Sequence, residues 1–258
     1  MPANRVDAMD RQIEAEFIEE VRDILNGIEV LIGNIRSGTN PAKEGLVRIQ
    51  REMVNVAMRG STLDQPLVTI VAHRLTEYLG DVVELDAGRL DDIQIFVDQI
   101  RHTLDDKGRP DAGDAAMLVR ALPARHWTGF DPSEVQVTNV EIMLVIPEKA
   151  MSRIIERELQ GCGYRVTNLH SPFQAIEMII RTKPDMVIVS AVIGELSGID
   201  LAAALSAMPT TRELPVALLT GSAGDSRLAD LPARVPVIRK GADFGDDLAE
   251  ALSRLRIT

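Results

Sequence analysis

The stretch Pro184-Asp185-Met186-Val187-Ile188-Val189-Ser190, followed by Gly194 and then by Ser197-Gly198-Ile199-Asp200-Leu201, decides how the second half of this 258-residue chain folds. Four consecutive apolar residues, three of them β-branched, make a strand without polar alternation. Such a strand is buried on both faces, which is the mark of a parallel sheet lying between helical layers. Gly194 marks a loop, and Ser197-Gly198 opens the next helix. Ser190 therefore stands at the carboxyl end of a buried strand, where open α/β sheets place their functional groups.

The same pattern repeats to either side. Short apolar runs at Ile142–Ile146, Arg165–Leu169, Met186–Ser190, Val216–Thr220 and Val235–Arg239 alternate with helical patterns at Lys149–Gln160, Pro172–Arg181, Gly198–Met208, Ser226–Leu231 and Phe244–Leu255. Five strands separated by helices predict a parallel sheet covered on both faces. Ile146, Ser190, Thr220 and Arg239-Lys240 fall at the functional ends of the strands.

The first half has a different period. Phe17, Val21, Ile24, Leu25, Ile28, Leu31, Ile32 and Ile35 form a helical stripe that ends at Ser37-Gly38 and Asn40-Pro41. A second helix carries Leu46, Ile49, Met53 and Val56 and stops near Gly60-Ser61. A third carries Val71, Leu75, Tyr78 and Leu79, and a fourth carries Leu90, Ile93, Val97, Ile100 and Leu104. Four amphipathic helices with short connections predict an antiparallel bundle. The domains are thus a helical bundle at 9–107, a linker at 108–138 in which Asp114–Leu122 can form a short helix, and an α/β domain at 139–258. Trp127 and Phe130 in the linker are expected to cover part of one domain.

Composition removes several functions. A formal net charge of −11 argues against a basic surface that grips nucleic acid. Cys162 is the only cysteine, and the four histidines lack helical zinc spacing, so no disulfide and no common zinc site is expected. Gly221-Ser222-Ala223-Gly224 lacks the lysine and the length of a phosphate loop and reads as a turn. No run approaches the ~20 apolar residues of a membrane span, and the opening residues lack a signal-peptide core. The expectation is a cytoplasmic protein that does not enter a membrane and carries no cofactor.

The Pro184–Ser190 segment with Gly198-Ile199-Asp200-Leu201 resembles the phosphoacceptor strand of response-regulator receiver domains, whose pattern is P-D-[LV]-[VI]-[LI]-[LM]-D, a loop, then G-[IL]-[ED]-L. Gly163-Tyr164-Arg165-Val166, Pro215, Thr220 and Lys240 fit the same family, and the likeness spans roughly 140–257. It implies a doubly wound five-stranded parallel sheet of order 2-1-3-4-5, receiver- or flavodoxin-like. It also implies a site: an acidic pair after the first strand for Mg²⁺, an acceptor aspartate after the third, Thr or Ser after the fourth, and Lys after the fifth. Here the acidic pair is Ile146 and Pro147, the acceptor is Ser190, and the fifth-strand switch aromatic is Val237; only Thr220 and Lys240 match. Mg²⁺ needs several hard oxygen ligands, which Glu148 alone does not supply. The domain is read as a degenerate, or pseudo, receiver.

The bundle resembles histidine phosphotransfer domains. Phe17-Ile18-Glu19-Glu20-Val21 is similar to their opening helix, F-[LI]-x-E-[AV], and Val56-Ala57-Met58-Arg59-Gly60-Ser61 to the acceptor motif H-T-[LI]-K-G-S. On that alignment Val56 replaces the phosphoacceptor histidine. Arg59 and Gly60 remain where the family presents a cation and a flat surface to a receiver; read as residues alone, they are a helix-end arginine and a C-cap glycine. His73 is expected on the exposed face of the third helix, with Glu77 one turn on, and is an alternative phosphoacceptor. His102 sits at a helix end and counts for little.

Three functions stay open on these residues. The first is a non-catalytic two-component adaptor that binds a histidine kinase, a receiver domain or a phosphotransfer protein. The second is a phosphotransfer protein using His73. The third is a sensor that holds a small anion in the pocket near Ser190, Thr220 and Lys240. Exposed bundle faces also leave room for a homodimer.

Overall fold

The computed structural model describes residues 3–80, 82–105, 112–124, 138–194, 196–221 and 226–257. The expected roles of Trp127 and Phe130, and the turn at Ser222–Gly224, lie outside the described residues. The chain divides into two compact units, Met1–Pro110 with Ala121–Pro123, and Asp111–Arg120 with Ala124–Thr258.

The first unit is a four-helix bundle: α1 (Ala3–Arg36), α2 (Ala42–Thr62), α3 (Pro66–Tyr78) and α4 (Ala87–Asp105). The expected stripes form its core. Phe17, Val21, Leu25 and Ile28 of α1 meet Leu46, Ile49, Met53 and Val56 of α2, Val71 and Leu75 of α3, and Ile93, Val97 and Ile100 of α4, all buried. Burying one such side chain contributes roughly 1.5–3 kcal/mol, so these rows supply most of the driving force.

Ionic contacts set the register between antiparallel neighbours. On the α1–α4 seam Arg22 pairs with Asp105 at 2.9 Å, Arg101 with Glu29 at 2.8 Å, and Arg36 with Asp91. These pairs are half exposed, so each adds at most about 1 kcal/mol. Their reversed order along the two helices fixes the antiparallel pairing. Hydrogen bonds from Arg101 hold the Glu29 carboxyl below the usual carboxylate range.

The second unit carries the parallel sheet in the expected order, β2-β1-β3-β4-β5. Its strands are β1 (Glu141–Val145), β2 (Arg165–Leu169), β3 (Met186–Ser190), β4 (Val216–Thr220) and β5 (Val237–Arg239), two residues shorter at its start than the apolar run. Every residue of β1, β3 and β4 is buried. Alternate side chains serve the two faces. Ile142, Leu144, Met186, Ile188, Ala217, Leu219 and Ile238 pack with Ile155 and Leu159 of α6 (Lys149–Gly161) and with Leu248 and Ala251 of α9 (Phe244–Leu255). The opposite face is covered by α7 (Pro172–Thr182) and α8 (Gly198–Ala207), and the expected helix after β4 is a short 3-10 turn, Ser226–Asp230.

A further helix, α5 (Ala112–Ala121), belongs to this second unit. Its residues Ala115, Ala116 and Val119 are buried, and two arginines fix its end. Arg165, 6% exposed at the start of β2, donates to the Val119 carbonyl at 3.1 Å. Arg120 donates to the Asp185 carboxylate at 2.9 Å and to the Lys183 carbonyl at 3.3 Å, and the same Asp185 oxygen accepts from the Glu141 amide at 2.8 Å. The last carbonyls of a helix have no partner within it, so Arg165 supplies one that would otherwise be lost. The pattern attaches α5 to the amino-terminal edge of β2, β1 and β3, away from the strand ends that carry Ser190 and Thr220.

Candidate functional site

Three loops and two strand ends meet at the carboxyl edge of the sheet. Parallel pairing through Val145 to Leu169, Ser190 to Leu219 and Thr220 to Arg239 brings Ile146, Ser190, Thr220 and Lys240 to that edge. The topology, and not sequence proximity, assembles the site.

The loop after β1 carries no side-chain oxygen at Ile146 or Pro147, the two positions that the receiver resemblance assigns to a metal-binding acidic pair. Ile146 is fully buried in the core, its amide donates to the Leu169 carbonyl at 3.0 Å, and its carbonyl lies 2.8 Å from Nδ1 of His170. A carbonyl only accepts, so that histidine nitrogen carries a proton. Pro147 follows half-buried and has no side-chain oxygen. Glu148, the N-cap residue of α6, does not use its side chain to cap the helix.

Ser190 is 2% exposed and sits in a tightly closed turn. A Cβ on Gly198 would lie 2.1 Å from the Ser190 carbonyl oxygen, so only glycine lets α8 start this close to β3. The Gly198 amide donates to Ala191 at 3.0 Å, and the Ala191 amide to Leu219 at 2.8 Å. Asp200 is consumed locally: it accepts from the Ser197 amide at 3.2 Å while the Ser197 hydroxyl accepts from the Asp200 amide at 3.1 Å, closing a capping box. Asp200 is a helix cap and not a spare carboxylate for the site.

Thr220, 4% exposed, ends β4, and its carbonyl accepts from the Lys240 amide at 2.8 Å. Lys240 is part-buried and paired. Its side chain is 21% exposed and its ammonium lies 3.0 Å from the Glu148 carboxylate, 92 residues away in sequence. Arg239 next to it is held by Asp247 through two side-chain contacts of 2.7 Å, and its own amide donates to Asp247 at 2.8 Å. These bonds bring the Asp247 carboxyl down to about 2 and push the Arg239 guanidinium above its usual range. Val237, at the switch-aromatic position, is 36% exposed.

The donor set does not fit Mg²⁺. Ile146 and Pro147 offer no side-chain oxygen, Ser190 offers a neutral hydroxyl, and the Glu148 carboxylate beside them is engaged by Lys240. Among the described residues no group of three His, Cys, Asp or Glu side chains is placed to hold a metal ion.

The bundle's candidate residues separate. Val56 is 1% exposed and belongs to the core. Arg59 is exposed, pairs with Glu20 and lies 5.7 Å from the centre of the Phe17 ring. Gly60 is not a C-cap, because α2 continues to Thr62 and is capped by Leu63. It is buried against α3, where a Cβ would meet the Thr69 hydroxyl oxygen at 2.7 Å. The expected flat surface at Gly60 is therefore a helix-helix contact.

His73 is corrected as well. Its side chain is 20% exposed, and Nδ1 lies 3.8 Å from the Glu77 carboxylate, beyond hydrogen-bond distance. The short α3 packs against both α2 and α4, and Val68, Ile70, Val71, Ala72, Arg74, Leu75 and Tyr78 are buried, so little of its circumference faces water. His102 is exposed near the end of α4.

Sequence reasoning missed the Lys240–Glu148 pairing, the bond between His170 and Ile146, and the attachment of α5. Only His170 carried a local signal, being the first residue after β2. The described residues contain no helix long and apolar enough to cross a membrane.

No protein-family model matches the chain. It is 31% identical over 124 residues to the response regulator MprA of Mycobacterium ulcerans, a match covering 46% of this chain and 49% of that protein. The chain thus spans about half the length of the curated relative it matches. Among solved structures it is similar to the receiver domain of the sensor histidine kinase PA1611 from Pseudomonas aeruginosa, with 21% identity, a TM-score of 0.41, and coverage of 45% of this chain and 98% of that one. It is also similar to the chemotaxis response regulator CheY4 of Vibrio cholerae, with 16% identity, a TM-score of 0.41, and coverage of 45% and 98%. Over 124 residues the chain is similar to a response regulator, and its second unit carries a five-stranded parallel sheet of order 2-1-3-4-5.

Proposed function

We propose that this chain is a non-catalytic component of a two-component signalling system, a degenerate receiver joined to a phosphotransfer-like bundle, that acts by binding other proteins without being phosphorylated. One observation carries this reading: the positions that the resemblance assigns to the metal pair hold Ile146 and Pro147, and the neighbouring Glu148 carboxylate pairs with Lys240. Phosphoryl transfer to a carboxylate or hydroxyl depends on a metal and positioned cations that neutralise transition-state charge. Among the described residues, Ser190 therefore has neither a metal ligand set nor an unengaged carboxylate beside it to activate it. The bundle supports the same reading, because Val56 lies in its core.

The partners this reading names are a histidine kinase, a true receiver domain or a phosphotransfer protein. The similarity to MprA and the receiver-like motifs around Ser190 are what support them. The second function, phosphotransfer through His73, has less behind it, since that side chain is four-fifths buried. Incubation with acetyl phosphate and Mg²⁺, read by intact mass, tests the first function. An unchanged mass is expected, and a stable phosphoryl adduct mapping to the second unit would refute it. Incubation with a phosphorylated cognate kinase tests the second: acid-labile label lost in His73→Ala would replace the adaptor by a phosphotransferase.

A further inference from the structure

Helix α2 is patterned on two faces. Its buried row, Leu46, Ile49, Met53 and Val56, is directed into the bundle. Val47, Val54 and Met58 are apolar as well, yet they are 59%, 43% and 66% exposed. At about 100° per residue these three fall within about 40° of one another, on the side of α2 away from the buried row. With Arg51 they stand at spacings of four, three and four residues, the alternation of a helix that packs along a second helix. The row extends about 16 Å along the helix axis. Isolated exposed apolar residues such as Val30 and Ile95 are ordinary on a surface, whereas three in line on one helix face form a docking seam. This is not the surface that the phosphotransfer resemblance offers to a partner, because Val56 and Gly60 are buried on the other side of α2.

Charge selects what the seam can hold. α2 carries Lys43, Arg48, Arg51 and Arg59 against Glu44 and Glu52, a net of two positive charges, in a chain whose formal net charge is −11. Arg51 stands in the apolar row itself with its side chain 69% exposed, and its contact with the adjacent Glu52, at 3.2 Å, is one that a partner carboxylate can exchange. Lys43 and Arg48 are exposed and flank the row on its two sides. A second copy of α2 would bring these cations against their own equivalents. A helix with Asp or Glu beside its apolar row meets them with opposite charge.

We propose that the outer face of α2 is the docking site for an acidic amphipathic helix of another protein. The partner lays apolar side chains, spaced three and four residues apart, along Val47, Val54 and Met58, and its carboxylates meet Lys43, Arg48 and Arg51. The inference rests on the adaptor reading and names the surface and the class of partner through which that binding takes place.

The probe is a synthetic three-heptad helix with Leu at its a and d positions and Glu at the positions beside them, and its counterpart carries Lys in place of Glu. Each labelled peptide is titrated with the full chain and followed by fluorescence anisotropy, and amide shifts locate the site. Saturable binding of the Glu peptide centred on 47–58 is expected, at least about tenfold tighter than that of the Lys peptide. Val54→Glu puts a carboxylate into the row at an exposed position and is expected to weaken the Glu peptide at least about tenfold. Arg51→Glu is expected to weaken the Glu peptide and strengthen the Lys peptide, a change of preference that unfolding cannot produce. Absence of saturable binding, equal binding of the two peptides, or affinities indifferent to both substitutions overturns the proposal. Sedimentation of the chain alone as a dimer that Val54→Glu dissociates also overturns it, since a second copy then covers the row. The adaptor reading fails separately, on a covalent phosphoryl adduct seen by intact mass.

Discussion

The two units place the residues that the two resemblances align with acceptor positions, Val56 and Ser190, in opposite settings. In the bundle, Val56 is 1% exposed and continues the row Leu46, Ile49 and Met53, so the position is absorbed into the core. In the α/β unit, Ser190 stands at the strand end, Gly198 closes the turn on its carbonyl, and Lys240 pairs with Glu148 of the loop after β1. A helix position is redefined by its face, and one apolar side chain suffices to turn it inward. A strand-end position is defined by backbone geometry and topology, so it survives a change of side chain. The α/β unit therefore has the shape of a site at that position, while the bundle has a packed core there.

The largest test of that contrast is Gly198→Ala. A methyl group there meets backbone, 2.1 Å from the Ser190 oxygen, and neither partner can rotate away. A loss of at least about 3 kcal/mol is expected in the second unit, with the bundle's transition unmoved, as read by residue-resolved urea unfolding. Coupled unfolding of both units would break the comparison.

Val56→His comes next. Placing an imidazole at a position 1% exposed is expected to cost the bundle about 1–3 kcal/mol and to give no phosphoacceptor. A stable, readily labelled variant would show that this position is surface after all. Arg120→Ala removes the cation that Asp185 receives from α5, and a loss of about 1 kcal/mol is expected, concentrated in faster hydrogen exchange at 115–121.

The smallest effect is one of pH. Asp247, held at about 2 by Arg239, has a folded value below its ordinary 3.8. Its contribution is therefore present above about pH 4 and is lost as pH falls through 2, leaving the range from pH 5 to 8 flat. A carboxyl titration of Asp247 by NMR checks this; a midpoint near 4 would mean that the Arg239 clamp is not formed in solution.

What the sequence made legible follows from the range of each interaction. Helix stripes and buried strands are local, so the bundle and the strand ends at Ile146, Ser190 and Thr220 could be read directly, whereas the sheet order came only from what the family resemblance implies. The Lys240–Glu148 pair and the contacts of Arg120 and Arg165 with distant partners link residues tens of positions apart, and no local pattern encodes them. His73 was misplaced because a periodicity argument gives a helix one buried face, while α3 has helices on two sides. Gly60 was misread for a related reason: a glycine near a helix end looks like a cap, yet here it admits the close approach of α3.

The central proposal is that the edge around Ser190 has the shape of a receiver site without side chains that hold Mg²⁺. A residue-resolved NMR titration of the full chain with Mg²⁺ tests it most directly. Only small, non-saturating shifts, spread over acidic surface residues, are expected, with none centred on Ile146, Glu148, Ser190 and Thr220. Saturable shifts focused on those four residues would contradict it.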